Sequence, residues 1–134
     1  MRTLLFIFIL SGLFSIIKAQ SNEEQQAIAL ADEQLKAYNA RDVEAFLKPY
    51  SDTIKVYRYP NTLLYQGKKT MRQEYTEMFK QLPDLYCKLV NRITLGNTVI
   101  DREEVIFRKD QAPFHAIAIY KIAGGKIVEV TFIQ

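Results

Sequence analysis

The last fifty residues of the chain carry apolar side chains on both faces of four predicted β-strands. Turn signals separate these strands, which cover Leu85–Leu95, Thr98–Arg108, Phe114–Ala123 and Lys126–Ile133. In the third strand, Ala116, Ala118 and Tyr120 point to one face, whereas Ile117 and Ile119 point to the other. A sheet with one solvated face would instead alternate apolar and polar residues. The pattern therefore predicts that helices cover one face and that a partner subunit covers the other.

Helical periodicity is strongest near the beginning of the chain. Apolar residues recur at helical spacing within Glu23–Tyr38, which predicts the first helix. Asp42 is placed to cap a short second helix that runs through Tyr50.

A hairpin and a third helix complete the N-terminal half. The predicted hairpin strands are Ile54–Tyr59 and Leu63–Tyr65. Thr70 and Gln73 then have the spacing of a capping box for a third helix, which Pro83 ends. The order helix, helix, hairpin, helix and four-stranded meander predicts a single α+β domain.

The first nineteen residues have the pattern of an export signal. Arg2 precedes an apolar run from Leu4 to Ile17, and Ala19 is a suitable residue before the cleavage site. The run is shorter than the about 20 apolar residues of a spanning helix. We therefore expect a signal peptide at residues 1–19, a domain at residues 20–134, a periplasmic or secreted location, and no stable membrane anchor after cleavage.

Charge and cysteine content narrow the possible partners. Removal of the signal peptide takes away Arg2 and Lys18, so the net charge falls from +3 to +1. No basic stripe interleaved with aromatic residues appears, and no nucleic-acid partner is predicted. Cys87 is the only cysteine, so no disulfide can form within the chain. Its strand spacing with Leu85 and Leu89 predicts a buried, inert thiol.

Four regions of the mature chain, taken together with the order of the predicted elements, resemble a known family. They are Ala37–Phe46 (AYNARDVEAF), Tyr65–Lys68 (YQGK), Leu95–Glu103 (LGNTVIDRE), and Ala116–Tyr120 (AIAIY) leading to Gly125–Val128 (GKIV). This set resembles the nuclear transport factor 2-like superfamily, which includes SnoaL-like cyclases and ketosteroid isomerases. The resemblance covers Ser21 to Gln134. It implies a cone-shaped, curved antiparallel sheet packed on three N-terminal helices, also described as a cystatin-like roll.

The resemblance also permits a residue-by-residue comparison with the isomerases. In them, a carboxylate base, a tyrosine and a protonated aspartate act in an apolar pocket. The corresponding positions in this chain fall near Tyr59, Gln34 and Ala118, and none of the three residue types matches. The chain is therefore not expected to be a ketosteroid isomerase.

A different pair of acids could carry chemistry. Asp101 and Glu103 share one face of a strand and lie about 7 Å apart along it. In a dry cavity, two neighbouring carboxyls separate in pKa, so that one serves as acid and the other as base. The alternative, which this pattern favours, is a face that is solvated or that crosses a dimer interface. There Arg102, Arg108 or an arginine of a partner would neutralise the acids.

His115 is the only histidine of the chain, so a histidine-rich metal site is excluded. It is a candidate base or pH-dependent switch if its face agrees with that of Asp101 and Glu103. The alternative is a strand-end histidine that only bonds to the backbone. The spacing of the three residues matches no known ligand motif, and neither a metal site nor a cofactor is predicted.

Eight tyrosines and no tryptophan suit a pocket for a flat, partly polar ligand. We expect the ligand to be small and hydrophobic or aromatic. The candidate lining residues come from helices and strands that would surround the cone, namely Tyr38, Tyr57, Tyr59, Tyr75, Ala118, Val130 and Phe132. Two functions are favoured at this point: a binding module, and an isomerase, cyclase or dehydratase that uses a carboxylate as acid or base. A third, a purely structural partner protein without a cavity, would need the cone to be filled by large side chains. In either case we expect a homodimer that forms through the outer sheet face.

Overall fold

The computed structural model describes residues 22–134, which form three helices and one sheet. Helix α1 covers residues 22–40. Helix α2 covers Val43–Leu47 and helix α3 covers Lys68–Gln81. The signal peptide predicted at residues 1–19 lies outside the described residues. None of the described helices is both long enough and apolar enough to cross a membrane.

The helix boundaries confirm one of the two predicted caps. Asp42 caps α2, because its Oδ1 accepts a hydrogen bond from the backbone N–H of Ala45 at 3.0 Å. The capping box predicted at Thr70 is wrong, since α3 begins two residues earlier at Lys68. Gly67 has a φ of 93°, which lets the chain turn directly from the hairpin into the helix without a side-chain cap. Thr70 consequently lies inside the first helical turn.

The six strands form one open, curved sheet in the order β2-β1-β6-β5-β4-β3. They cover Tyr50–Arg58 (β1), Thr62–Gln66 (β2), Tyr86–Leu95 (β3), Thr98–Ile106 (β4), Phe114–Ala123 (β5) and Lys126–Ile133 (β6). Neighbouring strands are antiparallel except β1 and β6, which run parallel. The predicted α+β class and curved sheet on three helices are confirmed. The second helix is shorter than predicted, because Tyr50 already belongs to β1.

The alternation predicted in β5 is confirmed and defines the two faces of the sheet. Ala116, Ala118 and Tyr120 are buried on the inner face. Ile117 and Ile119 lie on the opposite, outer face and are only partly buried. The helices therefore cover the inner face and leave the outer face partly accessible in the single chain.

A β-bulge in β3 changes which of its residues face inward. Leu89 pairs with Glu103, but Asn91 rather than Val90 pairs with the next residue of β4. Cys87 before the bulge is buried, whereas the residue with the same parity after it, Ile93, is 63% exposed. One extra residue thus exchanges the faces of the rest of the strand, and this exchange brings Arg92 to the inner side.

Candidate functional site

The two acids of β4 point into the concave side of the sheet. Asp101 is fully buried and Glu103 is 6% exposed, whereas Arg102 between them is exposed. This strand alternation excludes a solvated face for the pair. It also places both carboxyls among the side chains that α1 and α3 contribute to the interior.

Asp101 is neutralised by an arginine of the neighbouring strand. Arg92 donates two hydrogen bonds to it, from Nε to Oδ1 at 2.7 Å and from NH2 to Oδ2 at 2.8 Å. A third bond, from NH1 of Arg92 to Oδ1 of Asp32 in α1, measures 2.6 Å. The two hydrogen-bonded carboxylates raise the pKa of Arg92. Asp101 therefore serves as a paired structural charge, and its partner is none of the arginines that the sequence suggested.

Glu103 has a different environment from Asp101. Burial raises the pKa of its carboxyl to about 7, and the negative charge of Asp101 acts in the same direction. The hydroxyl of Tyr120, the thiol of Cys87 and the charge of Arg92 partly offset this rise. A carboxyl with such a pKa exchanges its proton near neutral pH, as general acid–base catalysis requires.

A chain of buried hydrogen bonds orients the Glu103 carboxyl. Tyr50 donates to Oε1 of Gln34 at 3.2 Å, and Nε2 of Gln34 donates to the hydroxyl of Tyr120 at 3.1 Å. Tyr120 in turn donates to Oε1 of Glu103 at 3.2 Å. Both tyrosine hydroxyls of this hydrogen-bonded series donate in the direction of the Glu103 carboxyl, Tyr50 through Gln34 and Tyr120 directly. The arrangement fixes the position of the acid and connects it to α1, β1 and β5.

Glu103 borders a cavity of about 160 Å³ between the helices and the inner face of the sheet. Five aromatic residues line it, namely Tyr38, Tyr75, Phe107, Phe114 and Phe132. Its remaining lining residues are Met78, Val105, Ala116 and Gln134. Glu103 is the one acidic residue among these lining residues, and no lysine, arginine or histidine belongs to them. The site is thus an apolar, aromatic cavity with a single titratable carboxyl.

A larger groove of about 480 Å³ lies elsewhere, at the C-terminal end of α3. It is open to solvent and contains Asp84 and Lys109, which form an ion pair at 3.5 Å. Because it is open to solvent and lined largely by charged and polar residues, it offers less to a specific ligand than the more apolar cavity next to Glu103.

The structure brings together only some of the candidate ligand-binding residues. Tyr38, Tyr75 and Phe132 line the cavity. Ala118 and Val130 are buried on the inner face but lie outside the cavity lining.

Tyr57 and Tyr59 are likewise not among the cavity-lining residues. The buried residues of this part of β1 are Ile54 and Val56, and Tyr57 alternates with them. Tyr59 lies beyond the end of β1 and is 60% exposed. These two tyrosines fall outside the cavity lining because the alternation directs Val56 inward and because Tyr59 no longer belongs to the strand.

His115 is separated from the two acids. It is exposed, and its partner across the sheet is Glu104, which alternates with Glu103 and therefore lies on the outer side. The sequence-predicted trio with Asp101 and Glu103 is thus not assembled. In the described part of the chain, no group of three or more His, Cys, Asp or Glu side chains is arranged to hold a metal ion.

Sequence reasoning missed the polar residues around the two acids, namely Gln34, Tyr50 and Arg92. It also missed six residues of the cavity lining, namely Met78, Val105, Phe107, Phe114, Ala116 and Gln134. Tyr120 was assigned to the correct face, but its role beside Glu103 depends on the pairing of β5 with β4. Gln34 could have been noticed as a polar residue between Ala31 and Leu35 on a predicted apolar helix face. No signal in the sequence indicated the bulge that turns Arg92 inward.

The positions compared with the isomerases have other roles here. Gln34 belongs to the hydrogen-bonded chain, Ala118 is paired across the sheet with Asp101, and Tyr59 is exposed. None of them supplies an acid to the cavity. An acid in this cavity comes from β4 instead, through Glu103.

Comparison with known proteins places the chain in a family. Residues 31–130 match the SnoaL-like domain, and the chain belongs to that family. No match was found among curated proteins. Solved structures support the same superfamily of folds, which includes nuclear transport factor 2-like, SnoaL-like and ketosteroid isomerase-like proteins.

Three solved structures illustrate the range of similar proteins. An uncharacterised cystatin-fold protein from Novosphingobium aromaticivorans is 25% identical, with a TM-score of 0.75 over 81% of this chain and 97% of that chain. A proposed ketosteroid isomerase from Kribbella flavida is 16% identical, with a TM-score of 0.69 over 83% and 78%. An LEH-like epoxide hydrolase from M. tuberculosis is 14% identical, with a TM-score of 0.68 over 83% and 84%. The last two likenesses show the fold alone.

Proposed function

We propose that the chain is a small-molecule-binding SnoaL-like domain without ketosteroid isomerase activity, in which Glu103 transfers a proton to or from the bound molecule. The observation that carries this proposal is the position of Glu103. Its carboxyl borders an apolar cavity, and its pKa is raised to about 7 by burial and by Asp101. A carboxyl of this kind can change its protonation state during a reaction at neutral pH.

The division of roles between the two acids supports this proposal. Asp101 accepts two hydrogen bonds from Arg92 and does not line the cavity. Its fixed negative charge helps to keep the Glu103 carboxyl protonated to a higher pH. Tyr120 holds one oxygen of Glu103 in place, so a reacting atom would meet a carboxyl of defined orientation.

Proton abstraction can be tested before the natural substrate is known. Small carbonyl compounds are incubated with the protein in D₂O, and 1H NMR follows deuterium uptake at the carbon next to the carbonyl. We expect uptake in at least one compound to fall by about 10²–10⁴-fold in Glu103→Gln, the usual contribution of a positioned acid or base. Glu104→Gln, one residue away on the outer face, is the matched control and should retain the rate. An equal rate in Glu103→Gln would refute the assignment.

A binding module without catalysis is the second candidate. The small cavity supports it, since about 160 Å³ is below the roughly 300–1,000 Å³ of sites for drug-sized ligands. The absence of matching residues at the isomerase positions supports it as well. Compounds that bind in the cavity but show no deuterium uptake with the wild-type protein would favour this candidate.

We also propose a homodimer through the outer face of the sheet. Ile93 is 63% exposed there and Leu95 is 71% exposed, and Ile100 of β4 lies between Ile93 and the partly buried Ile119 of β5. A standard interface would bury about 800 Å² per subunit. Light scattering should give a dimer for the wild type and a monomer for Ile119→Glu, whereas Leu63→Glu in the hairpin should remain dimeric. A monomeric wild type would contradict the proposal.

Export is the remaining proposal, and it rests on the apolar run of residues 4–17 and on Arg2 before it. Mass spectrometry of the protein recovered from its own host should find an N-terminus at or near residue 20 in the exported fraction. Recovery of the uncleaved chain from the cytoplasm would contradict it.

A further inference from the structure

The walls of the cavity are aromatic on two sides. Tyr38 and Tyr75 meet edge to face, with ring centroids 6.2 Å apart at an interplanar angle of 73°. Phe107 and Phe114 form a second pair, with centroids 5.9 Å apart at 58°. Phe132 of β6 completes the aromatic lining. Aromatic faces carry partial negative charge and attract cations.

The charged side chains near the cavity have a net negative charge. Glu103 lines it, and Asp101 lies two residues away on the same inner face. The one arginine of this region, Arg92, is engaged by Asp101 and by Asp32 and is not among the lining residues. Burial raises the pKa of Tyr38 in the cavity wall, and Cys87 and then the charge of Glu103 act in the same direction.

We propose that the cavity accepts a small organic cation, such as a protonated amine or a quaternary ammonium group, held between the Glu103 carboxylate and the aromatic rings. This inference rests on the proposed function, that the cavity binds a small molecule. It adds the chemical class of the ligand. The volume of about 160 Å³ is sufficient for a group of the size of trimethylammonium.

The environment of Glu103 favours a cationic ligand over a neutral or an anionic one. A neutral ligand would desolvate Glu103 further and compensate no charge, so it would favour the protonated carboxyl and gain no attraction from a carboxylate. An anionic ligand would meet Glu103 with no lysine or arginine among the lining residues to compensate it. A cation alone would compensate the carboxylate and also gain from the rings.

The test compares three molecules of nearly one shape that differ in charge. They are choline, its uncharged carbon isostere 3,3-dimethylbutanol, and the anion 3,3-dimethylbutanoate. The protein is labelled with 13C at the methionine methyl groups and titrated at pH 8, where Glu103, with a pKa of about 7, is mostly ionised. Met78 lines the cavity and reports binding, whereas Met71 is buried in the core at 1% exposure and serves as the internal reference.

We expect choline to shift the Met78 signal and to bind about tenfold more tightly than the neutral isostere, since a desolvated cation–π and charge contact is worth at least one order of magnitude. The anion should not bind. In Glu103→Gln the preference for choline over the isostere should disappear, and in Glu104→Gln it should persist. In Phe114→Leu, choline should lose more affinity than the isostere does.

Failure of this inference can be told apart from failure of the proposed function. If the neutral isostere shifts Met78 at the same concentration as choline, the cation preference is refuted and a small-molecule cavity is retained. If none of the three ligands shifts Met78, the inference is refuted and the proposed cavity function loses support as well. If Glu103→Gln keeps the preference for choline while its Met71 signal stays native, Glu103 is not the group that recognises the cation.

Discussion

Replacing Glu103 with Gln should remove one identifiable pH dependence from the stability of the fold. Folding raises the pKa of this carboxyl from 4.5 to about 7, because burial and the charge of Asp101 both disfavour its ionised form. The unfolded chain therefore loses the proton at a lower pH than the native protein does. The stabilisation that protonated Glu103 provides is present below pH 4.5 and is lost as the pH rises through about 7. Gln resembles the protonated form and does not titrate.

The size of this effect on stability follows from the rise in the pKa of Glu103 on folding. One pKa unit corresponds to about 1.4 kcal/mol, so the rise from 4.5 to about 7 corresponds to an upper limit of about 3.5 kcal/mol. Between pH 5 and pH 8, most of this difference should develop, roughly 2–3 kcal/mol. Glu103→Gln should therefore gain stability relative to the wild type as the pH rises, by that amount.

Urea unfolding at pH 5 and pH 8 measures this double difference directly. Other titrating groups contribute equally to the wild type and the variant, so they cancel. Glu104→Gln removes a carboxylate from the outer face and reports the effect of charge loss alone. If the stability difference between wild type and Glu103→Gln changes by less than about 1 kcal/mol between the two pH values, the burial and charge argument for Glu103 is refuted.

Three further results are expected. Arg92→Met should destabilise the fold by about 3 kcal/mol, because it leaves the buried Asp101 without its partner, and urea unfolding should show that adding Asp101→Asn restores much of the loss. Tyr120→Phe removes a hydrogen bond that lowers the pKa of Glu103, so NMR titration of the Glu103 carboxyl carbon should give a higher midpoint than in the wild type, and an unchanged midpoint would contradict the assigned contact. Cys87 is buried and its thiol pKa is raised, chiefly by burial, so a thiol reagent should modify it only after unfolding; rapid reaction in the absence of urea would contradict its placement.

Much of the architecture could be predicted from local patterns. The bounds of β5 and β6 agree with the apolar runs between Gly- and Pro-containing turns. Asp42 was identified as a cap because that interaction spans only three residues. The start of α3 was misplaced, because the prediction relied on the spacing of Thr70 and Gln73. The chain instead turns into the helix at Gly67, a glycine that can adopt the positive φ required there.

The candidate site was predicted less completely, and the reason is distance along the chain. Asp101 and Glu103 were found as a pair, since two-residue spacing on a strand fixes their common face. Whether that face is inside or outside depends on helices that are distant in sequence, such as α1, which ends more than sixty residues before Asp101 and whose Gln34 bonds to Tyr120 across 86 positions.

The sequence alone determined the α+β order, the alternation of β4 and β5, and the presence of two acids on one strand face, because each of these depends on neighbouring residues. The tertiary structure decided which of the two acids is paired with an arginine and which borders the cavity. An extra residue at Val90 turns Arg92 inward, so Asp101 is paired and Glu103 is left beside the cavity. Strand register and burial depend on how the strands pair in the folded sheet. A local feature such as this bulge therefore determines which residues face inward only when the strands are assembled.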